Sequence, residues 1–195
     1  MLSRARLLAV VVTIAAGALG VISSTQTWLV VTLADGADHT VDVAGAAAIP
    51  VLAPLSLATL ALGAALSIVG LVLRWVFGVL TVVIAVALGI LTATTVLATP
   101  VSAYATSVTS TTGITGTDAV AALVSSTQAT AWPYVTLIVW VVLLAAGIMT
   151  LVTATRWRGS GRRYRTEGGG RAAASRPRDA IDSWDDLSRG SDPTA

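Results

Sequence analysis

The chain has 195 residues, of which 55% are hydrophobic and 11% charged, with a mean hydropathy of +0.82 and a formal net charge of +2. Such a composition describes an integral membrane protein and leaves no room for a separate large soluble domain. The absence of cysteine excludes disulfides, thiol catalysis and cysteine-ligated metal.

Arg4 and Arg6 precede an uncharged run from Leu7 to Ile22, which Ser23–Thr27 extend without adding charge. This predicts a first span over about 5–24. A cleaved signal peptide is the rival reading, with Leu7 to Ala15 as its apolar region and Ala16-Gly17-Ala18 as the small-residue cleavage site. Apolar residues continue past that site, which favours the span.

Residues 25–49 are polar enough to form a loop. Trp28–Leu33 and Asp38–Val43 are β-prone runs around Asp35-Gly36, a short hairpin signal. A two-residue turn there pairs Trp28 with Val43, Val30 with Val41 and Thr32 with His39, and sets Trp28, Val30, Val41 and Val43 on one face. Asp35, Asp38, His39 and Asp42 are ligand types, but on a strand Asp38 and Asp42 lie roughly 13 Å apart. A solvated acidic loop is the better reading, and no metal or other cofactor is expected.

Two apolar runs follow, Ile49–Leu73 and Trp75–Leu97, separated by the single charge of Arg74. Each exceeds the roughly 20 residues a bilayer core requires. Arg74 in mid-bilayer would cost about 3 kcal/mol on insertion scales, so the expectation is two spans, 50–73 and 75–98, turning at a membrane surface near Arg74. Thr59, Gly63 and Ser67 recur every four residues on the first, as do Thr81, Ala85, Gly89 and Ala93 on the second. Small residues at this spacing share a helical face and let backbones approach closely, which predicts a packed central hairpin.

Residues 99–132 form a second polar loop rich in Ser and Thr, with a short helix over Ala119–Val124 capped by Thr117 or Asp118. Ser125-Ser126-Thr127-Gln128 repeats Ser23-Ser24-Thr25-Gln26. Trp132-Pro133-Tyr134 then opens the last span, 133–155. Arginine lies on one side of the four spans, while the two opposite loops contain four Asp and no Arg. The positive-inside rule therefore sets both termini in the cytoplasm. The expected fold is an all-α membrane protein: four transmembrane helices over 1–155, a small extracytoplasmic β-hairpin in the first loop, and a disordered cytoplasmic tail over 156–195.

In that tail Arg156, Arg158, Arg162, Arg163 and Arg165 crowd the membrane surface, where each basic residue attracts anionic lipid by about 1 kcal/mol, although a stop-transfer and orientation signal suffices to explain them. No folded scaffold or aromatic platform accompanies them, so no nucleic-acid partner is expected. Beyond Arg178 the sign reverses. Ile181, Trp184 and Leu187 stand three residues apart, flanked by Asp182, Asp185 and Asp186. This pattern suits a docking motif within 179–195 for a cytoplasmic protein partner, the alternatives being an inert tail or one folded onto its own cytoplasmic helix ends.

A four-span chain ending in Trp184-Asp-Asp-Leu-Ser-Arg-Gly-Ser-Asp-Pro-Thr194, with Ser23-Ser24 and Trp28 just after its first span, resembles the tryptophan-biosynthesis-associated membrane proteins. These are small actinobacterial proteins of the cell membrane encoded with tryptophan operon genes. The resemblance implies an association with tryptophan biosynthesis and carries over no catalytic residues. Independently, the apolar runs from Leu7, Ile49, Trp75 and Trp132 contain no Asp, Glu, Lys, Arg or His, and paired carboxylates, an activated nucleophile and phosphate-binding loops are all missing. An enzyme is not expected. Two readings stand: a membrane anchor or scaffold whose tail recruits a soluble partner, and a conduit or carrier subunit for a neutral aromatic solute such as indole or tryptophan, using Trp28, Trp132, Tyr134 and Trp140.

Overall fold

The computed structural model describes residues 2–34 and 39–153, with side chains from Leu7 onward. The chain runs α1 (Leu2–Thr25), β1 (Thr27–Leu33), β2 (Thr40–Ala44), α2 (Gly45–Ala48), α3 (Leu52–Leu66), α4 (Leu71–Ala98), α5 (Val101–Thr112), α6 (Thr117–Leu123), β3 (Val124–Ala129) and α7 (Trp132–Thr153). Among the described residues three helical stretches are long and apolar enough to cross a membrane: Leu7–Thr25, Leu71–Ala98 and Trp132–Thr153. The fourth apolar helix, α3, has 15 residues, about 22 Å of helix at ~1.5 Å per residue.

The helices bury small and hydroxylated residues beside a few leucines, Leu52, Leu66, Leu88 and Leu143, and turn many of their large apolar residues outward. Thr13, Ser56, Thr59, Thr81, Thr92, Thr136 and Thr150 are buried, while Leu8, Val11, Leu57, Val79, Val83, Ile138 and Val141 are exposed. This is the pattern that suits lipid, where Leu gains nothing by leaving the solvent and close backbone packing is the main attraction. Most of the buried hydroxyls donate to the carbonyl four residues earlier on their own helix, for example Thr13 to Ala9, Ser56 to Leu52, Thr81 to Phe77 and Thr150 to Ala146. Each stays satisfied without water.

The packing partners differ from the expected central hairpin. α3 lies along α1, and α4 lies along α7, while α3 and α4 meet only sparsely. A Cβ added at Gly63 would stand 2.7 Å from Ile14 Cγ1, and one at Gly17 only 2.6 Å from the Leu60 amide nitrogen. On the other pair, a Cβ at Gly78 would stand 2.7 Å from Leu151 Cδ2 and one at Gly147 2.8 Å from Val82 Cγ2. Thr59, Gly63, Thr81 and Ala85 are buried, Gly89 and Ala93 half-buried, and Ser67 is exposed at the C-cap of α3. The stripes therefore face α1 and α7, not each other. Sequence adjacency suggested the wrong neighbour because the small-residue rule specifies a face and not its partner.

The turn near Arg74 also differs. The connection is residues 67–70, and Arg74 sits inside the first turn of α4 with only 3% of its surface exposed. Its guanidinium Nη2 donates to the Val69 carbonyl at 3.3 Å. The cation thus folds back onto the turn that precedes it.

The first loop contributes two strands and the second loop a third, in the order β2-β1-β3, all antiparallel. The expected hairpin exists, but its register is offset by one: Leu29 pairs with Val43, Val31 with Val41 and Thr32 with Thr40. The turn is longer than two residues, closing where the Leu33 amide donates to the His39 carbonyl at 2.9 Å. A one-residue offset exchanges the faces, so Leu29, Val31, Leu33, Val41 and Val43 are buried together, whereas Val30 is only half-buried. Trp28 is nonetheless buried, because a bulge between Thr27 and Leu29 turns it inward.

The second polar loop is ordered. α5 packs Ala103, Tyr104 and Val108, and α6 packs Val120, into the same core as the sheet. The short helix expected over 119–124 is α6, whose N-cap is Gly116 without a side-chain cap bond. Thr99, at the C-cap of α4 and immediately before Pro100, has φ 36°. A β-branched residue in left-handed conformation is strained.

The tail calls, namely the arginines from Arg156 to Arg165 and the Ile181, Trp184, Leu187, Asp185 and Asp186 docking motif, lie outside the described residues, as do Asp35 and Asp38.

Candidate functional site at the joint of bundle and sheet

α1 runs directly into β1, and β3 runs directly into α7, so the centre of the sheet and the first and last helices share one corner. The buried indole of Trp28, with no exposed surface, occupies it. Its Nε1 donates to Ser23 Oγ at 3.0 Å and to the Ser23 carbonyl at 3.0 Å. Ser23 Oγ lies 2.5 Å from Thr136 Oγ1 on α7, and Thr136 Oγ1 donates to the Trp132 carbonyl at 2.8 Å.

The direction of this chain is determined by its ends. An indole N–H only donates and a carbonyl only accepts. Since Thr136 spends its proton on Trp132, Ser23 must donate to Thr136 while accepting from Trp28. The result is a one-way relay, Trp28 N–H to Ser23 O–H to Thr136 O–H to the Trp132 carbonyl, crossing from β1 through α1 to α7. Without the Thr136 hydroxyl the buried Ser23 O–H loses its acceptor, at a cost of about 1–3 kcal/mol, whereas without the Ser23 hydroxyl the Trp28 N–H keeps its bond to the Ser23 carbonyl. Gly45 completes the corner: a Cβ there would stand 2.7 Å from Trp28 Nε1 and 2.8 Å from the Ser23 carbonyl. Backbone bonds reinforce it, with the Thr130 amide donating to the Trp28 carbonyl at 2.9 Å and the Gly45 amide to the Gln26 carbonyl at 3.0 Å.

One helical turn deeper lies a second indole. Trp140, four residues beyond Thr136 on α7 and 1% exposed, donates from Nε1 to Thr92 Oγ1 of α4 at 3.2 Å. Its ring edge reaches Gly20 of α1, where a Cβ would stand 2.6 Å from Trp140 Cη2 and would also collide with Ser56 Oγ of α3. All four long helices therefore meet around one ring. Gly89 borders it more loosely, its Cβ position being 3.9 Å from Trp140 Cβ.

The four aromatics grouped together by the sequence are separated here. Trp28 and Trp140 are core residues with their N–H groups engaged inside the protein, Trp132 is half-buried, and Tyr134 is exposed. The Ser-Ser-Thr-Gln echo also divides: Ser23–Thr25 end α1, whereas Ser125–Gln128 are in β3, with Gln128 paired to Val30. Reading for small residues on the central spans alone missed Gly17, Gly20, Ser23, Thr136 and Gly147. The same spacing test applied to α1 and α7 points to them, since Thr13, Gly17, Gly20 and Ser23 lie three or four residues apart, and so do Thr136, Trp140, Leu143, Gly147 and Thr150. Among the described residues no group of His, Cys, Asp or Glu is placed to hold a metal.

Apolar helices of membrane-spanning length, packed at glycine and capped by a small antiparallel sheet, define a helical integral membrane protein. A family model described as "Tryptophan-associated transmembrane protein" matches residues 10–194. The chain belongs to that family. No curated protein and no solved structure matches the chain.

Proposed function

We propose that this tryptophan-associated transmembrane protein is a non-catalytic anchor or scaffold of the plasma membrane, crossing it four times with both termini in the cytoplasm. Its C-terminal tail, through 179–195, docks a cytoplasmic protein, and Ile181, Trp184 and Leu187 with the flanking Asp185 and Asp186 are the contact residues.

The observation that carries this reading is how completely the bundle spends its interior on itself. Gly17, Gly20, Gly63, Gly78 and Gly147 all sit where a side chain would strike the neighbouring helix, and both buried indoles donate to hydroxyls of the same chain. That arrangement suits a rigid mount.

A topological argument supports four crossings. The sheet takes strands from both loops, so α1 ends and α7 begins on one side. α4 ends on that side too, because α5, which follows it, packs against β2. Leu71 therefore starts on the opposite side, and the segment containing α3 must carry the chain across. Its 15 residues fall short of a hydrocarbon core of ~30 Å, and the apolar flanks Ile49–Val51 and Ser67–Val69 make up the difference. Arginines of the termini and of the 67–74 turn then share the cytoplasmic side.

Affinity capture from membranes, with the full chain against one ending at Gly170, is the test. Loss of a specific cytoplasmic partner on truncation, reproduced by Trp184→Ala at unchanged abundance, is the expected result. Unchanged co-purifying proteins would refute the docking role. Indole or tryptophan flux through reconstituted vesicles would then support the conduit instead.

A further inference from the structure

The sheet ends in two edges of different character. β2 carries Asp42, follows His39, and has α5 packed against it. β3, at the other edge, is six residues with no charge and no proline, and its main neighbours among the described residues are β1 and the helix α6 that leads into it. Charges, prolines and covering helices are what keep an edge strand from pairing with another chain.

Alternation along the ladder decides which backbone groups of β3 face outward. The Leu33 amide donates to the His39 carbonyl on the β2 side, and the Thr130 amide donates to the Trp28 carbonyl from the β3 side. Successive residues of a strand bond to opposite neighbours in an antiparallel sheet. β1 therefore bonds to β2 through Leu29, Val31 and Leu33, and to β3 through Trp28, Val30 and Thr32. Gln128 and Ser126, opposite Val30 and Thr32, bond inward. Thr127 and Ala129 are left with N–H and C=O groups pointing away from the sheet, and among the described residues no main-chain or side-chain group bonds to them there. The one irregularity of the pairing, between Thr32 and Leu33, leaves Ser126–Ala129 regular. On the two faces, Thr127 and Ala129 are half-buried while Ser126 and Gln128 are exposed.

Charge and orientation say what fits this edge. Residues 25–49 and 99–132, which build the sheet and the helices over it, contain four Asp and no Lys or Arg. Their field draws in a basic segment and repels an acidic one. β3 runs straight into α7, so its Ala129 end lies at the membrane. A second copy in the same membrane has its own Ala129 end there as well. Its β3 would arrive parallel, with the faces exchanged, and would set Ser126 and Gln128 against the half-buried row. A segment of a different polypeptide has no such constraint.

We propose that the outer edge of β3 takes an extended basic segment of another polypeptide, on the sheet side of the membrane, as a fourth and antiparallel strand. Thr127 and Ala129 supply the backbone bonds, which give affinity, and the alternating side chains give selectivity. Apolar residues of the segment extend the row of Thr127 and Ala129, and its Lys or Arg residues lie beside Ser126 and Gln128. No residue of the tail is involved, so this surface stands or falls separately from the scaffold reading.

The probe is a capped hexapeptide of alternating lysine and valine, titrated onto the full chain in nanodiscs of neutral lipid and followed by amide NMR shifts. Saturable binding is expected, with the largest shifts at Thr127 and Ala129, and the glutamate–valine counterpart should not bind. Residues directly opposite in a bonded pair share a face, so the valine amides are the ones that bond. N-methylation of the valine amides should abolish binding and N-methylation of the lysine amides should not, a comparison that leaves the protein unaltered. Thr127→Pro removes an outward N–H and no bond to β1. It should weaken binding about tenfold, with amide exchange at Val30 and Gln128 unchanged. Lack of saturation, shifts confined to residues outside β3, equal binding of the glutamate peptide, or indifference to which amides are methylated would each overturn the proposal. So would Thr127→Cys chains that join quantitatively as disulfide dimers in the membrane, since the edge would then belong to a second copy.

Discussion

The membrane bundle and the sheet that caps it are built on opposite rules. In the sheet, Leu29, Val31, Leu33, Val41 and Val43 are buried and Thr40, Asp42, Ser126 and Gln128 are exposed, the apolar-in, polar-out alternation of a sheet with one face in water. In the bundle, glycine, serine and threonine share the inside with Leu52, Leu66, Leu88 and Leu143, while many of the Leu, Val and Ile residues are outside. The difference follows from the solvent. Water rewards burying carbon, at about 25 cal/mol per Å², so the sheet hides its largest aliphatic residues. Lipid offers no such reward, so the helices hide what lets backbones touch. The joint has to satisfy both rules, and it does so with two tryptophans whose rings fill volume while their N–H groups are met by hydroxyls.

This contrast predicts which substitutions hurt. The largest effect should come from glycine at backbone contact: Gly17→Leu forces α1 from α3, costing more than about 3 kcal/mol by overpacking against main chain. Gly89→Ala, with its nearest neighbour at 3.9 Å, should be nearly neutral. Unfolding in mixed detergent measures both, and equal losses would break the distinction between the glycines.

Next comes Trp140. Trp140→Ala removes the ring on which four helices converge and should cost about 3–5 kcal/mol. Trp140→Phe keeps most of the volume but strands Thr92, for about 1 kcal/mol. If the two variants are equally damaging, the Thr92 bond and not the ring is what matters.

A smaller effect is expected at the relay. Ser23→Ala and Thr136→Val should each cost about 1 kcal/mol, and the double variant little more than either, since both break one chain. Amide exchange at Val30 and Gln128 should rise in these variants while that of α4 stays protected. Additive losses would show the two hydroxyls to be independent.

The smallest change should be favourable. Thr99→Gly relieves a β-branched residue at φ 36° and should raise stability by about 1 kcal/mol, read as a shift in the thermal midpoint. A destabilised variant would mean the hydroxyl or methyl of Thr99 makes a contact that outweighs the strain.

Much of this was legible in the sequence, and for identifiable reasons. Long uncharged runs require helices, since lipid leaves no other partner for the backbone; this identifies α1, α4 and α7 directly and α3 by its run. The β-prone segments around Asp35-Gly36 announced β1 and β2, and a four-residue rhythm of small residues announced packing faces. Whether that rhythm on α3 faced α4 or α1 was undecidable locally, because Gly63 presents the same face whichever helix arrives. Tertiary structure chose Ile14. Likewise nothing in Val124–Ala129, polar and short, marks a strand until β1 lies beside it to take its hydrogen bonds. Register depended on turn length, and one extra residue there exchanged the faces of Val30 and Val31. The relay is the clearest case: Ser23 and Thr136 stand 113 residues apart, and their hydroxyls acquire a direction only when the indole of Trp28 and the carbonyl of Trp132 are brought to either end. Composition and periodicity determined what each segment is; long-range pairing alone decided what each segment touches.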